Sequence, residues 1–320
     1  MNRRGARLVP AASDVALLMP RVSVIIPTRG RPSLGSALAS VFGQTEPDFE
    51  IIVVDDHSPS DAIAEVLHTH SDPRLCCVTV SGRGGAAAAR NRGIGYATAD
   101  YIAFLDDDDE WLPDKLATQL TAMEERGDEV GAVYTARLTI DRDTGRTTTT
   151  RFPPEFRPGV SDNVVTTSSV LVRRVCLDRV GRFDEQLAIG SDYDMWIRIG
   201  QHYVFHYLDT VLVKYYVHHG NLSHDYRRQR DSFRQLIEKH LDFFAANPEF
   251  LARQYAMLGT MYLRDATVDE AVRAFWRGVR CTPRDWKSYA RPVREVARRF
   301  VRGFQRPAEI DARSASVRSK

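Results

Sequence analysis

The sequence predicts an α/β fold with a mostly parallel sheet, followed by an α-helical C-terminal extension, and three observations carry that prediction. Short β-branched runs alternate with segments of helical periodicity from Val22 to Leu105, which is the spacing of βαβ units. Three of the runs end in polar clusters: Thr28-Arg29, Asp55-Asp56 and Asp106 to Asp109. In parallel sheets ligands bind beyond the carboxyl ends of the strands, so these clusters converge on one site. After residue 224 the β-branched runs give way to helical spacing.

The elements follow in order. Val22 to Pro27 is a buried-strand run, followed by the polar loop Thr28 to Pro32. Leu34, Leu38, Val41 and Phe42 recur at helical spacing, and Gln44 to Pro47 stops that helix. Phe49 to Val54 is a second strand and a helix covers roughly 60–69. A short strand spans Leu75 to Val80. Ser81 to Gly85 leads into an alanine-rich helix, Ala86 to Ala97, and the strand Tyr101 to Leu105 runs straight into four aspartates. A further helix starts near Pro113.

Composition narrows the classes. With 320 residues and 43% hydrophobic content the chain can bury one large domain, or a medium domain plus an appendage. A net charge of +2 gives no global field that would suggest nucleic acid. Cys76, Cys77, Cys176 and Cys281 lack metal-ligand spacing and read as reduced thiols, which favours the cytoplasm. No apolar run reaches membrane-spanning length. Residues 1–20 carry Arg3, Arg4 and Arg7 before an apolar patch broken by Pro10 and Asp14, so a disordered leader is expected rather than a signal peptide.

The four aspartates are the chemical centre. Adjacent carboxylates at the end of a buried strand repel one another unless something cationic sits there. A hard divalent cation meets that need, because Mg²⁺ or Mn²⁺ takes oxygens from one or two carboxylates plus substrate phosphates. A solvated acidic turn capping the next helix is the plainer alternative. A Gly-x-Gly-x-x-Gly turn after the first strand and a P-loop are both missing. Phosphates would therefore be met by a metal and by cationic side chains such as Arg90.

Taken in order, Val24-Ile25-Ile26-Pro27-Thr28, Ile52 to Ser58, Gly85 to Asn91 and Phe104 to Asp109 resemble successive motifs of family 2 glycosyltransferases. The resemblance continues through Ser168 to Arg174, Val180 to Glu185, Ser191 to Trp196 and Tyr215 to His218, and so covers roughly residues 21–224. It implies the A-type nucleotide-diphospho-sugar transferase fold, with a Rossmann-like sheet. It also implies roles. Pro27, Thr28 and Arg29 would line the nucleobase and ribose end, and Asp56 would hydrogen-bond the base, with Asp55 structural. Arg90 and Asn91 would lie near the sugar-nucleotide. Asp106 and Asp108 would form the Asp-x-Asp pair, Asp108 holding Mn²⁺ or Mg²⁺ and Asp106 assisting toward the ribose. Alternation along an extended segment would put these two on one face and Asp107 on the other.

The sequence departs from the family pattern twice. The usual Glu-Asp pair at the acceptor side is Ser191-Asp192, so only the second carboxylate remains as general base. Asp192 is open to a second reading, as the N-cap of the helix that follows. The usual Tyr-Arg-x-His is Tyr215-Tyr216-Val217-His218, which removes a basic side chain. His218 is either a ligand of the metal or leaving phosphate, or a loop histidine.

Beyond residue 224 an amphipathic helix is expected from Tyr226 to His240. Leu258-Gly259, Tyr262, Ala271, Phe275, Gly278 and Pro283 match one tetratricopeptide unit, a helical hairpin in which a small residue allows close crossing. Arg291, Arg294, Arg298, Arg299, Arg302 and Arg306 surround Val293, Val296, Phe300 and Phe304, the pattern of a basic amphipathic helix suited to an anionic membrane. The expected organisation is a leader (1–20), a catalytic domain (21–224), a helical region (225–285), and a basic helix with a disordered end (286–320).

The expected function is a cytoplasmic, metal-dependent, inverting glycosyltransferase that moves a sugar from a nucleotide-diphospho-sugar to a glycan or lipid-linked hydroxyl acceptor. It would serve polysaccharide or glycolipid synthesis, with peripheral contact at an anionic membrane and no nucleic-acid partner. The rivals are a sugar-nucleotide-binding module that has lost catalysis, given the missing carboxylate before Asp192, and a nucleotidyltransferase. The second should carry a lysine in a glycine-rich loop after the first strand, where Thr28-Arg29-Gly30-Arg31 has none.

Overall fold

A computed structural model describes residues 19–59, 63–80, 82, 84–154, 156–157, 163–217, 226–264 and 267–285. The expected leader and basic tail, but for residues 19 and 20, lie outside these residues, as does His218. The chain forms two compact units, Met1–Leu236 and Ile237–Lys320.

The first unit opens with β1 (Val22–Thr28), α1 (Leu34–Phe42), β2 (Phe49–Asp55), α2 (Ala64–Thr69), β3 (Leu75–Thr79), α3 (Gly85–Tyr96) and β4 (Tyr101–Phe104). All seven residues of β1 are buried, as expected of a β-branched run covered on both faces. Val24 and Ile26 join Leu34, Leu38 and Val41 of α1 in one core cluster. The opposite face meets α3: a Cβ on Gly93 would lie 2.4 Å from Ile25 Cγ2, so only glycine lets that helix approach. Each fully buried Val or Ile stabilises the sheet by about 1.5–3 kcal/mol.

The second half continues with β5 (Glu110–Trp111), α4 (Lys115–Arg126), β6 (Val130–Asp141), β7 (Thr147–Thr150), β8 (Val170–Arg173), α5 (Arg174–Val180), α6 (Ser191–Gly200), β9 (Val204–Val217) and α7 (Tyr226–Lys239). Among the described residues the sheet has nine strands in the order β3-β2-β1-β4-β8-β6-β9-β5, with β7 paired to β6. The expected α/β sheet is present, its longest pairings are parallel, and it is mixed in strand direction. The pairs β1–β2, β1–β4, β2–β3 and β6–β9 are parallel, while β4–β8, β6–β8, β6–β7 and β5–β9 are antiparallel. The parallel half is the βαβ part read from sequence. The mixed half arises because β8 enters between β4 and β6 running against both.

This order places the site. Chain direction from β1 runs outward both ways, to β2 on one side and β4 on the other, which makes a topological switch point. The carboxyl ends of β1, β2 and β4 lie together there, with Thr28 in register with Asp55.

The second unit contains α8 (Leu241–Ala245), α9 (Pro248–Arg264) and α10 (Val268–Cys281). Helices α9 and α10 form a hairpin whose buried positions include Leu258, Gly259, Tyr262, Ala271, Phe275 and Gly278. Gly259 is the close-approach point, since a Cβ there would come within 2.8 Å of the Phe275 ring. The Phe244 and Phe250 rings, 5.4 Å apart, extend the core toward α8.

Candidate active site

The three strand ends open into a cleft of about 240 Å³. Pro27, Thr28 and Arg29 line it from β1, Asp56 from β2, and Ala86, Ala89 and Arg90 from α3. Asp106, Asp107 and Asp108 form a further wall, and Arg31, Gly85 and, from β9, Tyr215 and Tyr216 complete the lining.

The acidic run does not stay extended. Strand β4 stops at Phe104 and the chain turns, closed by the Asp109 N–H donating to the Asp106 carbonyl at 3.0 Å. The expected alternation, with Asp107 facing away from Asp106 and Asp108, therefore fails: all three line the cleft, and Asp109 is the one turned inward. Thr28 Oγ1 donates to Asp107 Oδ2 at 2.7 Å, and Arg31 Nη1 reaches Asp107 Oδ1 at 3.2 Å as well as Asp108 Oδ2. Burial pushes the Asp107 carboxyl above the ordinary carboxylate range, against the pull of Thr28 and Arg31.

Asp106 is held from the other side. Arg90 Nη2 donates to Oδ1 and Thr167 Oγ1 donates to Oδ2 at 3.1 Å. The Asp106 N–H donates to Ser168 Oγ at 3.2 Å. That hydroxyl in turn donates to the buried Asp109, whose second oxygen accepts the Tyr216 N–H at 3.0 Å. Asp109 thus ties the acidic turn to β9, and burial raises its pKa well above the usual range. Arg90 is itself only 6% exposed, its guanidinium lies over the Phe183 ring, and its buried Nε has no hydrogen-bond partner in the protein. An orphaned N–H beside the cleft suits an oxygen-rich ligand.

Asp56 accepts the backbone N–H groups of Gly84 and Gly85 at the start of α3, at 2.8 and 3.2 Å, and Arg29 Nε lies 3.4 Å from its Oδ2. Asp55 accepts the Ser58 N–H at 2.8 Å, a turn-closing role. Asn91 is not brought to the cleft. Its amide donates to the Phe183 carbonyl at 2.9 Å and to Glu185, and accepts the Phe183 N–H at 2.8 Å, so it clamps the loop before α6. One residue from Arg90 on a helix is a rotation of about 100°, which carries Asn91 to another face.

Asp192 lies in the first turn of α6. The N-cap is Gly190 in the left-handed region at φ 82°, so the capping alternative for Asp192 does not hold. Its carboxylate accepts the Tyr193 N–H at 2.8 Å and the Asn163 amide at 3.2 Å. Burial pushes its pKa up, while the charge of Arg90 pulls it down. Sequence reasoning left Arg31, Thr167, Ser168 and the tyrosine rings of β9 without a role. Ser168 and the tyrosines lie in the quoted motifs, while Arg31 and Thr167 lie outside them and carried no signal, because the contacts join residues up to 107 positions apart.

Three cleft-facing carboxylates are hard oxygen donors, the type Mg²⁺ and Mn²⁺ prefer, and such ions are completed by substrate phosphates rather than by an all-protein cage. Among the described residues no group of three His, Cys, Asp or Glu side chains is arranged to hold a metal alone. The donor set therefore fits a cation shared with a phosphate ligand.

Residues 23–180 match the family described as glycosyl transferase family 2. The chain is 29% identical over 225 residues to the Escherichia coli UDP-Glc:alpha-D-GlcNAc-diphosphoundecaprenol beta-1,3-glucosyltransferase WfaP, covering 69% of this chain and 84% of the relative. Among solved structures, S. aureus TarS 1-349 in complex with UDP-GlcNAc superposes with a TM-score of 0.57 at 16% identity, over 80% of this chain and 90% of that one. The mannosyltransferase PcManGT from Pyrobaculum calidifontis, in complex with GDP-Man and Mn2+, gives 0.55 at 19% identity, over 89% and 87%. At these identities the two structures establish a shared fold.

Proposed function

We propose, from the match of residues 23–180 to glycosyl transferase family 2, that the chain transfers a sugar, with inversion, from a nucleoside-diphospho-sugar to a hydroxyl acceptor. The observation that carries the reading is the cleft at the carboxyl ends of β1, β2 and β4, with Asp106, Asp107 and Asp108 on one wall and Arg90 beside them. WfaP is named for a UDP-Glc donor and a diphosphoundecaprenol-linked acceptor, and the two solved structures hold UDP-GlcNAc and GDP-Man. We extend the donor class to this chain, and with it a lipid-linked glycan as acceptor in envelope polysaccharide synthesis. None of the described helices is long and apolar enough to cross a membrane. A lipid-linked acceptor then calls for peripheral contact, for which the basic residues after Trp286 are suited.

Asp106 and Asp108 would hold Mn²⁺ or Mg²⁺, which when bound offsets the charge developing on the departing nucleoside diphosphate. Pro27, Thr28 and Asp56 line the cleft from the ends of β1 and β2 and would orient the nucleoside. Arg90, fixed by Asp106 and Thr167, presents a guanidinium to phosphate or sugar oxygens. Asp192 accepts the acceptor's proton. Its raised pKa makes it a better proton acceptor than an ordinary surface carboxylate.

The test is a panel of UDP- and GDP-sugars with and without Mn²⁺, read by calorimetry and by slow hydrolysis of the donor. The parent protein should bind at least one of them more tightly with the metal. Asp108→Ala should lose that tightening while its circular dichroism spectrum and melting temperature stay near the parent's, because the residue lies beyond a strand end. Equal metal-dependent affinity in the variant and parent defeats the assignment of Asp108.

A further inference from the structure

We propose that Arg31 is a mobile counter-ion that couples cation binding to nucleotide binding: it holds the acidic turn when the cleft is free of donor, and transfers to the diphosphate when cation and nucleotide enter. This rests on the reading of the cleft as a nucleoside-diphosphate site with a cation at the acidic turn.

The geometry distinguishes Arg31 from Arg90, which also pairs with a carboxylate of the turn. Arg90 is 6% exposed on α3, and Asp106, Thr167 and the Phe183 ring fix its guanidinium. Arg31 comes from the loop between β1 and α1, just after Gly30 at φ 74°, and its side chain keeps 37% exposure. A single nitrogen, Nη1, bridges Asp107 Oδ1 and Asp108 Oδ2, carboxylates whose side chains are 8% and 15% exposed. It thus occupies a position from which a cation held by Asp108 would meet the same carboxylate.

A divalent ion and a guanidinium cannot share the Asp108 carboxylate without repulsion, which is strong at such short range. A divalent ion entering alone must therefore displace Arg31 into water. A diphosphate changes that balance, because it offers the displaced planar guanidinium a pair of oxygens as a bidentate acceptor. Each ligand then favours the other beyond any direct bond between them. Linkage makes the effect reciprocal: the factor by which nucleotide tightens Mn²⁺ equals the factor by which Mn²⁺ tightens nucleotide.

The experiment measures Mn²⁺ binding to the full chain by electron paramagnetic resonance, alone and with saturating UDP or GDP, and nucleotide binding alone by calorimetry. Parent, Arg31→Gln and Arg31→Lys are compared. Arg31→Gln should bind Mn²⁺ alone about 5-fold or more tightly than the parent and nucleotide alone more weakly, with a correspondingly smaller coupling factor. Arg31→Lys, which keeps the charge, should bind Mn²⁺ alone as the parent does. Unchanged or weaker binding of Mn²⁺ alone by a folded Arg31→Gln overturns the proposal. If the parent shows no metal-dependent nucleotide binding at all, the reading of the cleft fails, and the inference with it.

Discussion

Asp194 is fully buried, and Arg198 Nε and Nη2 both donate to its Oδ2, at 3.0 and 2.7 Å. The same guanidinium donates to the carbonyls of Val180 and Arg182, so the pair pins α6 to the end of α5. Asp192, two positions earlier, remains partly exposed and feels the charges of Arg90 and Asp106. One isosteric change at each position separates the roles. Asp194→Asn should destabilise the protein by about 3 kcal/mol, the scale of breaking a buried ion pair, seen as a lower urea midpoint. Asp192→Asn should leave that midpoint in place, keep donor and metal binding, and reduce transfer to the acceptor about 10²-fold or more. Near-parent transfer by Asp192→Asn would remove it as the base. At this scale the strand-end residues were legible: Thr28, Asp56 and Asp106 each come at or just after the end of an apolar run whose direction fixes where they emerge. Asp107 and Arg31 were not. A tight turn discards the period-2 rule on which the reading of the aspartates relied, and nothing local in the sequence announces an ion pair across 76 residues.

Helix α3 carries Arg90 and begins at the N–H groups that Asp56 accepts, so its seat on the sheet sets two walls of the cleft. That seat depends on Gly93, where an added methyl would meet Ile25 Cγ2 at 2.4 Å and Val54 Cγ2 at 3.2 Å. Both neighbours are fully buried and β-branched, with little freedom to move aside. Gly93→Ala should cost about 1–3 kcal/mol despite the better helix propensity of alanine, and should weaken nucleotide binding as α3 lifts. A melting temperature and nucleotide affinity equal to the parent's would show that the helix is not seated by that contact. The alternation of α1, β2 and α3 with their strands was legible because each connection is short and local. The direction of β8, and the pairing of β5 and β9, were not. Those strands find partners far along the chain, Glu110 opposite Lys214 for example, and pairing direction is set by the path between them rather than by composition.

For the molecule as a whole, a net charge of +2 conceals a division. Residues 286–320 hold ten basic and three acidic side chains, so the remainder of the chain is net acidic. Every residue lining the cleft falls between Pro27 and Tyr216. Donor binding and the basic segment are therefore separable by deletion. Apolar positions at Val293, Val296, Phe300 and Phe304 recur at helical spacing among the arginines, the pattern of a helix that lies in a headgroup layer. Near an anionic surface each such arginine contributes about 1 kcal/mol, enough for several together to hold a protein at the membrane. The chain truncated after Asp285 should bind UDP or GDP with the parent's affinity and metal dependence, yet sediment far less with phosphatidylserine-containing vesicles. The difference should shrink as salt is raised, since screening shortens the reach of the surface charge. Binding of the full chain to neutral and anionic vesicles alike would remove the electrostatic contribution. Failure of the full chain to sediment with either would remove the membrane role and leave the acceptor to be met in solution.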